Sequence, residues 1–276
     1  MTFSIAARMG DAYGVAVASK FIAVGSVVPG VRTDVGAVAT QAMAKVSYRA
    51  DVLDLLAEGV DADTAVARVT YADEGRAHRQ LGVVAATSQA TFTGSECNAW
   101  AGGRAGADGS GRYAIQGNIL TGEEVVLAME QAWLERPGMP LPRRLLAALL
   151  AGDAAGGDSR GRQGAAMVVV SPGTGYDESG VLVDLRVDDH PAAPTELARL
   201  LDLNDLYFGE PQDVQSLTGD LADEVSARLA SLGHSEGDVD AALGSWSGVE
   251  NYEMLLTPGG IDGRVLQALR DATPDR

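Results

Sequence analysis

A threonine directly behind a start methionine is a candidate nucleophile. Removal of Met1 would leave an α-amine and a β-hydroxyl on Thr2, a base and a nucleophile on one residue. That removal is favoured when the next residue is small, so the mature chain is expected to begin at Thr2. A nucleophile also needs a rigid mount. Residues 2–8 and 13–19 are short runs rich in Ala, Val and Ile, separated by Gly10 and Asp11, and they read as a hairpin. If Arg8 pairs with Tyr13, Thr2 falls opposite Ser19. If the turn is one residue shorter, Lys20 takes that position. Either register brings Ser19 and Lys20 beside Thr2. An ammonium there would depress the pKa of the α-amine and favour its neutral, basic form; the competing reading makes Lys20 a surface lysine.

Two further groups of side chains have the right types for a site. Asp158, Arg160 and Gln163 lie in the polar turn 156–163 and offer an acceptor, a bidentate cation and an amide. Arg160 could hold a substrate carboxylate, or Asp158 and the arginines could form a structural clamp. Asn98 in Glu96-Cys97-Asn98, and Gln116 and Asn118 around Gly117, supply amide donors of the kind an oxyanion hole requires. Cys97 is a second candidate nucleophile with His78 or His190 as base, although no spacing supports that pairing. One cysteine and three scattered histidines argue against zinc. No Walker A or dinucleotide fingerprint is present. Neither a metal nor a cofactor is expected.

The elements that would carry these residues follow from apolar patterning. After the hairpin, 21–28 reads as extended and 35–41 as a buried strand. Helices are expected at 48–58 and at 62–71, the second capped by Asp61. A strand pair at 80–86 and 90–93 precedes a loop, 94–111. A strand at 113–116 leads to a helix at 122–135, capped by Thr121 with Glu124 completing a capping box. A helix at 142–150 stops at Gly152, strands follow at 165–170 and 181–187, and a helix at 194–206 closes the series. This order fits an α+β domain of two stacked antiparallel sheets with helices outside better than a βαβ repeat. Beyond residue 212 only helical patterns appear, so 1–208 and 212–276 are expected as a main domain and a small helical module.

The bulk composition narrows the function classes. Hydrophobic residues make up 46% of the 276, enough for a sizeable core, but aromatics only 5%, so that core is built from small side chains. A net charge of −17 disfavours nucleic acid, which needs a cationic surface, and disfavours anionic membranes. No apolar run reaches transmembrane length and no secretory signal pattern is present, so a cytoplasmic location is expected.

Several motifs together resemble one family. They are Thr-Phe-Ser-Ile-Ala-Ala-Arg from Thr2, Ser-Lys-Phe-Ile-Ala-Val-Gly at 19–25, Ala-Thr-Gln-Ala at 39–42, Gly-Ser-Glu-Cys-Asn-Ala-Trp-Ala-Gly at 94–102, Gln-Gly-Asn at 116–118, Gly-Gly-Asp-Ser-Arg-Gly-Arg-Gln at 156–163 and Asp-Leu-Arg-Val-Asp-Asp-His at 184–190. These resemble the DUF1028 family over about residues 2–208. Gly164 stands where its relatives usually carry serine. Leu-Gly-His at 232–234, Trp246, Glu250-Asn251 and Gly-Ile-Asp-Gly at 260–263 are similar to a peptidoglycan-binding-like module.

The resemblance implies a four-layer αββα sandwich of the N-terminal-nucleophile (Ntn) type, with Thr2 as nucleophile and Lys20 near it. The activity expected is hydrolysis of a linear amide in a small N-acyl or amino-acid-derived compound. Thr2, Lys20 and Asn118 would be catalytic. Ser19, Thr40, Gln41, Asn98, Gln116, Asp158, Arg160 and Gln163 would line the substrate site, with backbone N–H groups near Thr40 or Gly117 facing the oxyanion. The alternative is a non-catalytic ligand-binding protein on the same scaffold. A homo-oligomer and a cell-wall ligand for the small module are compatible with the sequence.

Overall fold

A computed structural model describes residues 2–274, and Met1, whose removal the sequence raises, lies outside them. The chain divides into two compact units, 1–199 and 200–276. The first unit contains two antiparallel sheets. Its strands are β1 (Thr2–Met9), β2 (Ala12–Ser19), β3 (Pro29–Arg32), β4 (Gly36–Ala42), β5 (Arg79–Ala85), β6 (Gln89–Thr93), β7 (Gly102–Ala107), β8 (Arg112–Asn118), β9 (Gly164–Val170) and β10 (Val181–Val187). Six form one sheet in the order β10-β9-β2-β1-β8-β7, and four form the other in the order β3-β4-β5-β6.

The strand sequences explain the packing. Side chains alternate across a strand, so Ala6 of β1 and Tyr13, Val15 and Val17 of β2 point one way. They meet Ala37 and Ala39 of β4 and Val84 of β5 in one buried cluster between the sheets. On the outer face of the smaller sheet, Val38, Leu81 and Val83 pack against Val52, Leu56, Ala65 and Val66. Those last residues lie on α1 (Tyr48–Ala57) and α2 (Ala62–Tyr71). On the other face of the larger sheet lie α3 (Glu124–Leu134) and α4 (Leu141–Ala154), with α4 against β1 and β2. Central strands covered on both faces read as near-continuous apolar runs, which is why 35–41 showed little alternation. Each fully buried valine or isoleucine contributes about 1.5–3 kcal/mol of transfer free energy.

Several sequence expectations change. The stretch 21–28 is not extended: it turns through Ala23, at φ 50°, into a 3₁₀ turn at Val24–Ser26, because Gly25 packs against Ala166 and the stem of Arg186. The segment 94–111 holds the edge strand β7, whose sequence Gly-Gly-Arg-Ala-Gly-Ala carries no β-branched or aromatic signal. Thr121 does not cap α3. Its N–H donates to the Gly157 carbonyl, and Glu123 occupies the cap position without a side-chain bond. Gly152 lies inside α4 instead of ending it. A Cβ there would sit 2.7 Å from Met129 Cγ and 3.3 Å from Phe3 Cδ2, so glycine is what lets the helix approach the sheet. At Gly164 a side chain would start 2.6 Å from the Phe21 carbonyl oxygen, so the backbone here leaves no room for one.

The second unit begins within α5 (Ala193–Phe208) and holds α6 (Gly219–Ser231), α7 (Val239–Glu250) and α8 (Gly263–Ala272). It also holds a ladder of two two-residue strands, β11 (Gln215–Ser216) and β12 (Gly260–Ile261), too short for any sequence pattern. Trp246, 3% exposed, packs with Leu229, Leu243 and Leu266 in its core, and its ring meets Tyr252 edge-on at 5.4 Å. Asp262 caps α8 and accepts the backbone N–H of Gln212 at 2.6 Å. Among the described residues no helix is long and apolar enough to cross a membrane.

Candidate functional site

The site residues gather where β1 begins and β2, β4 and β8 end. Thr2 pairs with Asn118 across β1 and β8. In the β1–β2 hairpin Arg8 pairs with Tyr13 and Phe3 with Ala18, which is the register that sets Ser19 beside Thr2. The Thr2 Oγ1 and Ser19 Oγ atoms are 3.1 Å apart, and the two residues are only 6% and 2% exposed. Lys20 continues past the strand. Its backbone N–H donates to Asp158 Oδ2 at 2.7 Å, and its exposed ammonium donates to the Arg162 carbonyl at 3.3 Å. Ser19, and not Lys20, is therefore the residue that meets the Thr2 hydroxyl.

Behind Thr2 lies a buried network of amides between the sheets. Ser4 Oγ donates to Gln41 Oε1 and receives a bond from Gln116 Nε2, both at 2.6 Å. Gln41 Nε2 donates to Gln80 Oε1 at 2.7 Å and to the Thr2 carbonyl at 3.2 Å. Asn118 Nδ2 also donates to Gln80 Oε1, at 3.0 Å. Gln80 Nε2 is directed at the Gly117 carbonyl (2.7 Å), Thr93 Oγ1 (2.9 Å) and the Gly102 carbonyl (3.2 Å). Ser4, Gln80 and Gln116 are fully buried. Burying so many amides is tolerable only because they satisfy one another. Gln116 Oε1 is the exception, buried without a partner among the described residues and pressed against Gly82.

Gln80 is the hub that the sequence reading missed. The available signal was a glutamine on the same strand face as Gly82 and Val84, a polar residue in an otherwise apolar row. Thr40, by contrast, leaves the site. It points to the other face of β4 from Gln41, its hydroxyl donates to the Lys45 carbonyl, and its N–H is taken by Val28. It cannot supply an oxyanion donor beside Thr2.

An open groove of about 410 Å³ adjoins this cluster, lined by Asn118, Asn98, His78, Glu96 and Cys97. Ala42 and Ile119 flank it, and both have left-handed backbones, at φ 70° and 49°. A β-branched residue in that region is an outlier that costs about 1–3 kcal/mol. Ile119 is held there from both sides: its N–H donates to the Asn98 carbonyl at 3.0 Å and its carbonyl accepts from Ser159 at 3.3 Å. His78 Nε2 lies 2.9 Å from Glu96 Oε2. Cys97 Sγ faces the Arg79 carbonyl, and burial pushes its thiol pKa up, opposed by the backbone of Gly94. A thiol so placed is a poor nucleophile. His190 is engaged through Nδ1 with the Ala192 N–H and does not line the groove.

The turn 156–163 acts as a brace. Asp158, 6% exposed, accepts from the N–H groups of Lys20 and Arg160 and from the Arg160 guanidinium at 3.3–3.4 Å. It also bridges to Leu120. Arg162 pairs with Asp153 at 2.7 Å, and Gln163 Nε2 donates to Asp189 Oδ1 at 3.0 Å. This is the clamp reading, with Asp158 tying the end of β2 to the strand end carrying Asn118. Among the described residues no group of three or more His, Cys, Asp or Glu side chains assembles as a metal site.

Comparison with known proteins matches the same stretch of chain. Residues 2–197 match the model described as "Family of unknown function (DUF1028)". Residues 207–269 match the model described as "Putative peptidoglycan binding domain". A crystal structure of a Silicibacter pomeroyi protein carrying the same DUF1028 model is similar to this one, with 32% sequence identity and a TM-score of 0.66. The similarity covers 81% of this chain and 92% of that one. No curated protein matches the chain.

Proposed function

The chain belongs to the DUF1028 family, and from its site we propose that it is an amidohydrolase of the N-terminal-nucleophile type, built on a four-layer αββα sandwich. The substrate is a linear amide in a small N-acyl or amino-acid-derived compound. The observation that carries this reading is the Thr2 hydroxyl, held 3.1 Å from Ser19 Oγ at the rigid start of a central strand. The Thr2 carbonyl is fixed by Gln41, and a groove opens beside its neighbour Asn118. The two sheets that share an apolar interface, with helices on their outer faces, support the sandwich assignment.

Once Met1 is removed, Thr2 Oγ attacks the amide carbonyl carbon and its proton passes to the Thr2 α-amine. The C–O bond forms as the carbonyl π pair moves onto oxygen. An N–H of Asn118 faces that oxyanion. The C–N bond then breaks, the departing nitrogen takes the proton from the α-ammonium, and water hydrolyses the ester to release the acid and restore Thr2. Ser19 orients the nucleophile. Lys20 acts chiefly through its backbone, anchored by Asp158, since an exposed ammonium is screened by water and salt. The Arg160 charge is largely met by Asp158, which leaves it a secondary contact for a substrate carboxylate.

The test is intact mass of the purified protein followed by an amide-library screen. The expected mass lacks Met1, and Thr2→Ala abolishes turnover while Thr2→Ser retains part of it. Active protein that keeps Met1 would sink the mechanism. Ligand binding without turnover in the unaltered chain would instead favour a binding protein on this scaffold.

A further inference from the structure

The amide orientations of Gln80 and Gln41 in the buried network can be traced to backbone carbonyls, which only accept. Gln80 has the Gly117 and Gly102 carbonyls on one side of its carboxamide, so that side must be its NH₂. Its Oε1 is thereby fixed toward Gln41 and Asn118, and both must present N–H to it. The same logic holds Gln41 independently, because its Nε2 also faces the Thr2 and Gln116 carbonyls. Asn118 differs. Its only side-chain bond among the described residues is the one to Gln80, so nothing else decides which end of its carboxamide turns inward. Asn118 is also the member of the network that lines the groove and pairs with Thr2.

We propose that Gln80 is a positioning residue that fixes the Asn118 carboxamide with its NH₂ group beside Asn118's strand partner Thr2, one N–H bound to Gln80 Oε1 and the other unspent for a carbonyl oxygen developing negative charge. This rests on the reading of Thr2 as nucleophile. Without Gln80 the Asn118 side chain can flip, and a carbonyl oxygen would face the oxyanion. Gln80 touches no reacting atom, and its effect on the reaction passes through Asn118.

The probe is a small β-lactone. Thr2 Oγ bonds to the lactone carbonyl carbon, the ring C–O bond breaks, and the hydroxyl proton ends on the released alkoxide. Acylation of the full-length protein is followed by intact mass, with peptide mapping to Thr2. Loss of one oxyanion donor costs about 10²–10³-fold in rate. Asn118→Ala is therefore expected to slow acylation by about 100-fold and Gln80→Met by about tenfold or more, while Gln80→Met in the Asn118→Ala background changes the rate by less than about twofold. The Asn118 side-chain NH₂ protons, assigned by ¹⁵N NMR, are expected to exchange with solvent faster in Gln80→Met. Gln80→Leu, which also lacks the acceptor, serves where Gln80→Met does not fold. Two losses that multiply, an unchanged rate in Gln80→Met, or unchanged Asn118 exchange would each overturn the proposal. If the unaltered protein is acylated nowhere, or only away from Thr2, the nucleophile reading fails and this role falls with it. The two failures differ, because in the first case Thr2 still reacts.

Discussion

At the scale of single residues, the chemistry concentrates on Thr2 and on what holds it. Its hydroxyl is shared with Ser19, its carbonyl with Gln41, and its strand partner is Asn118. Two side chains that looked reactive by type line the groove but are held back there: Cys97 has a thiol that burial makes less acidic, and His78 is bound to Glu96. A base that is an α-amine gives a distinctive pH dependence. Free α-amines titrate at about 7.7–8.0, and only the neutral form accepts the Thr2 proton. The kcat/KM of the active enzyme is therefore expected to rise from pH 6 to about pH 9 and then level off. A profile that is flat over that range would point to a different base.

At the scale of elements, the site depends on strand ends meeting and on glycines that let them meet. Gly82 of β5 faces Gln116 so closely that a Cβ would lie 1.9 Å from Oε1. Gly82→Ala must push the Gln116 amide off Ser4, and Ser4 is bonded to Gln41. The expected loss is about 1–3 kcal/mol from overpacking and a broken buried bond. Thermal denaturation checks this, with a fall in Tm of several degrees expected; an unchanged Tm would mean that the amide has room to move. Turn chemistry matters as much as strand pairing here. Asp158 joins the end of β2 to the Leu120 bridge, and the left-handed Ile119 is pinned by Asn98 and Ser159. Such strain persists only where its surroundings over-determine it.

At the scale of the whole molecule, each of the two units has its own apolar core and its own ion pairs. The first relies on apolar burial between and outside its sheets, with the fully buried Arg144 paired to Asp108. The second has a smaller core, and in it Glu224 of α6 is bonded to Arg270 of α8 and to Arg228, each at 2.8 Å. Those two arginines lower the Glu224 pKa from 4.5 to about 2. A carboxylate with a depressed folded pKa stabilises above its unfolded value and loses that contribution as pH falls through the folded one. Protection of α6 and α8 amides against hydrogen exchange, corrected for intrinsic rates, is therefore expected to weaken between about pH 4.5 and pH 2. Glu224→Gln should reduce that pH dependence. Equal dependence in the variant would remove Glu224 as its source.

The sequence by itself determined the opening hairpin, the apolar strands, most of the helices and the Asp61 cap, because those follow from local period and turn residues. It also carried the motifs by which the family was legible, and with them Thr2, Ser19, Gln41, Gln116 and Asn118. Local patterns carry no information about which distant faces meet. That Gln80 lies at the centre of the amide network was decided only when two sheets stacked, and that Asp158 and Arg160 serve as a brace only when the ends of β2 and β8 met in one sheet. The same holds for β7, an edge strand made of glycine and alanine with one arginine, which is a strand because β8 pairs with it. The hairpin register was open to one residue in the sequence. Tertiary packing decided it, since a slip would turn the apolar row of Val15 and Val17 away from the buried face between the sheets and carry Ser19 away from Thr2.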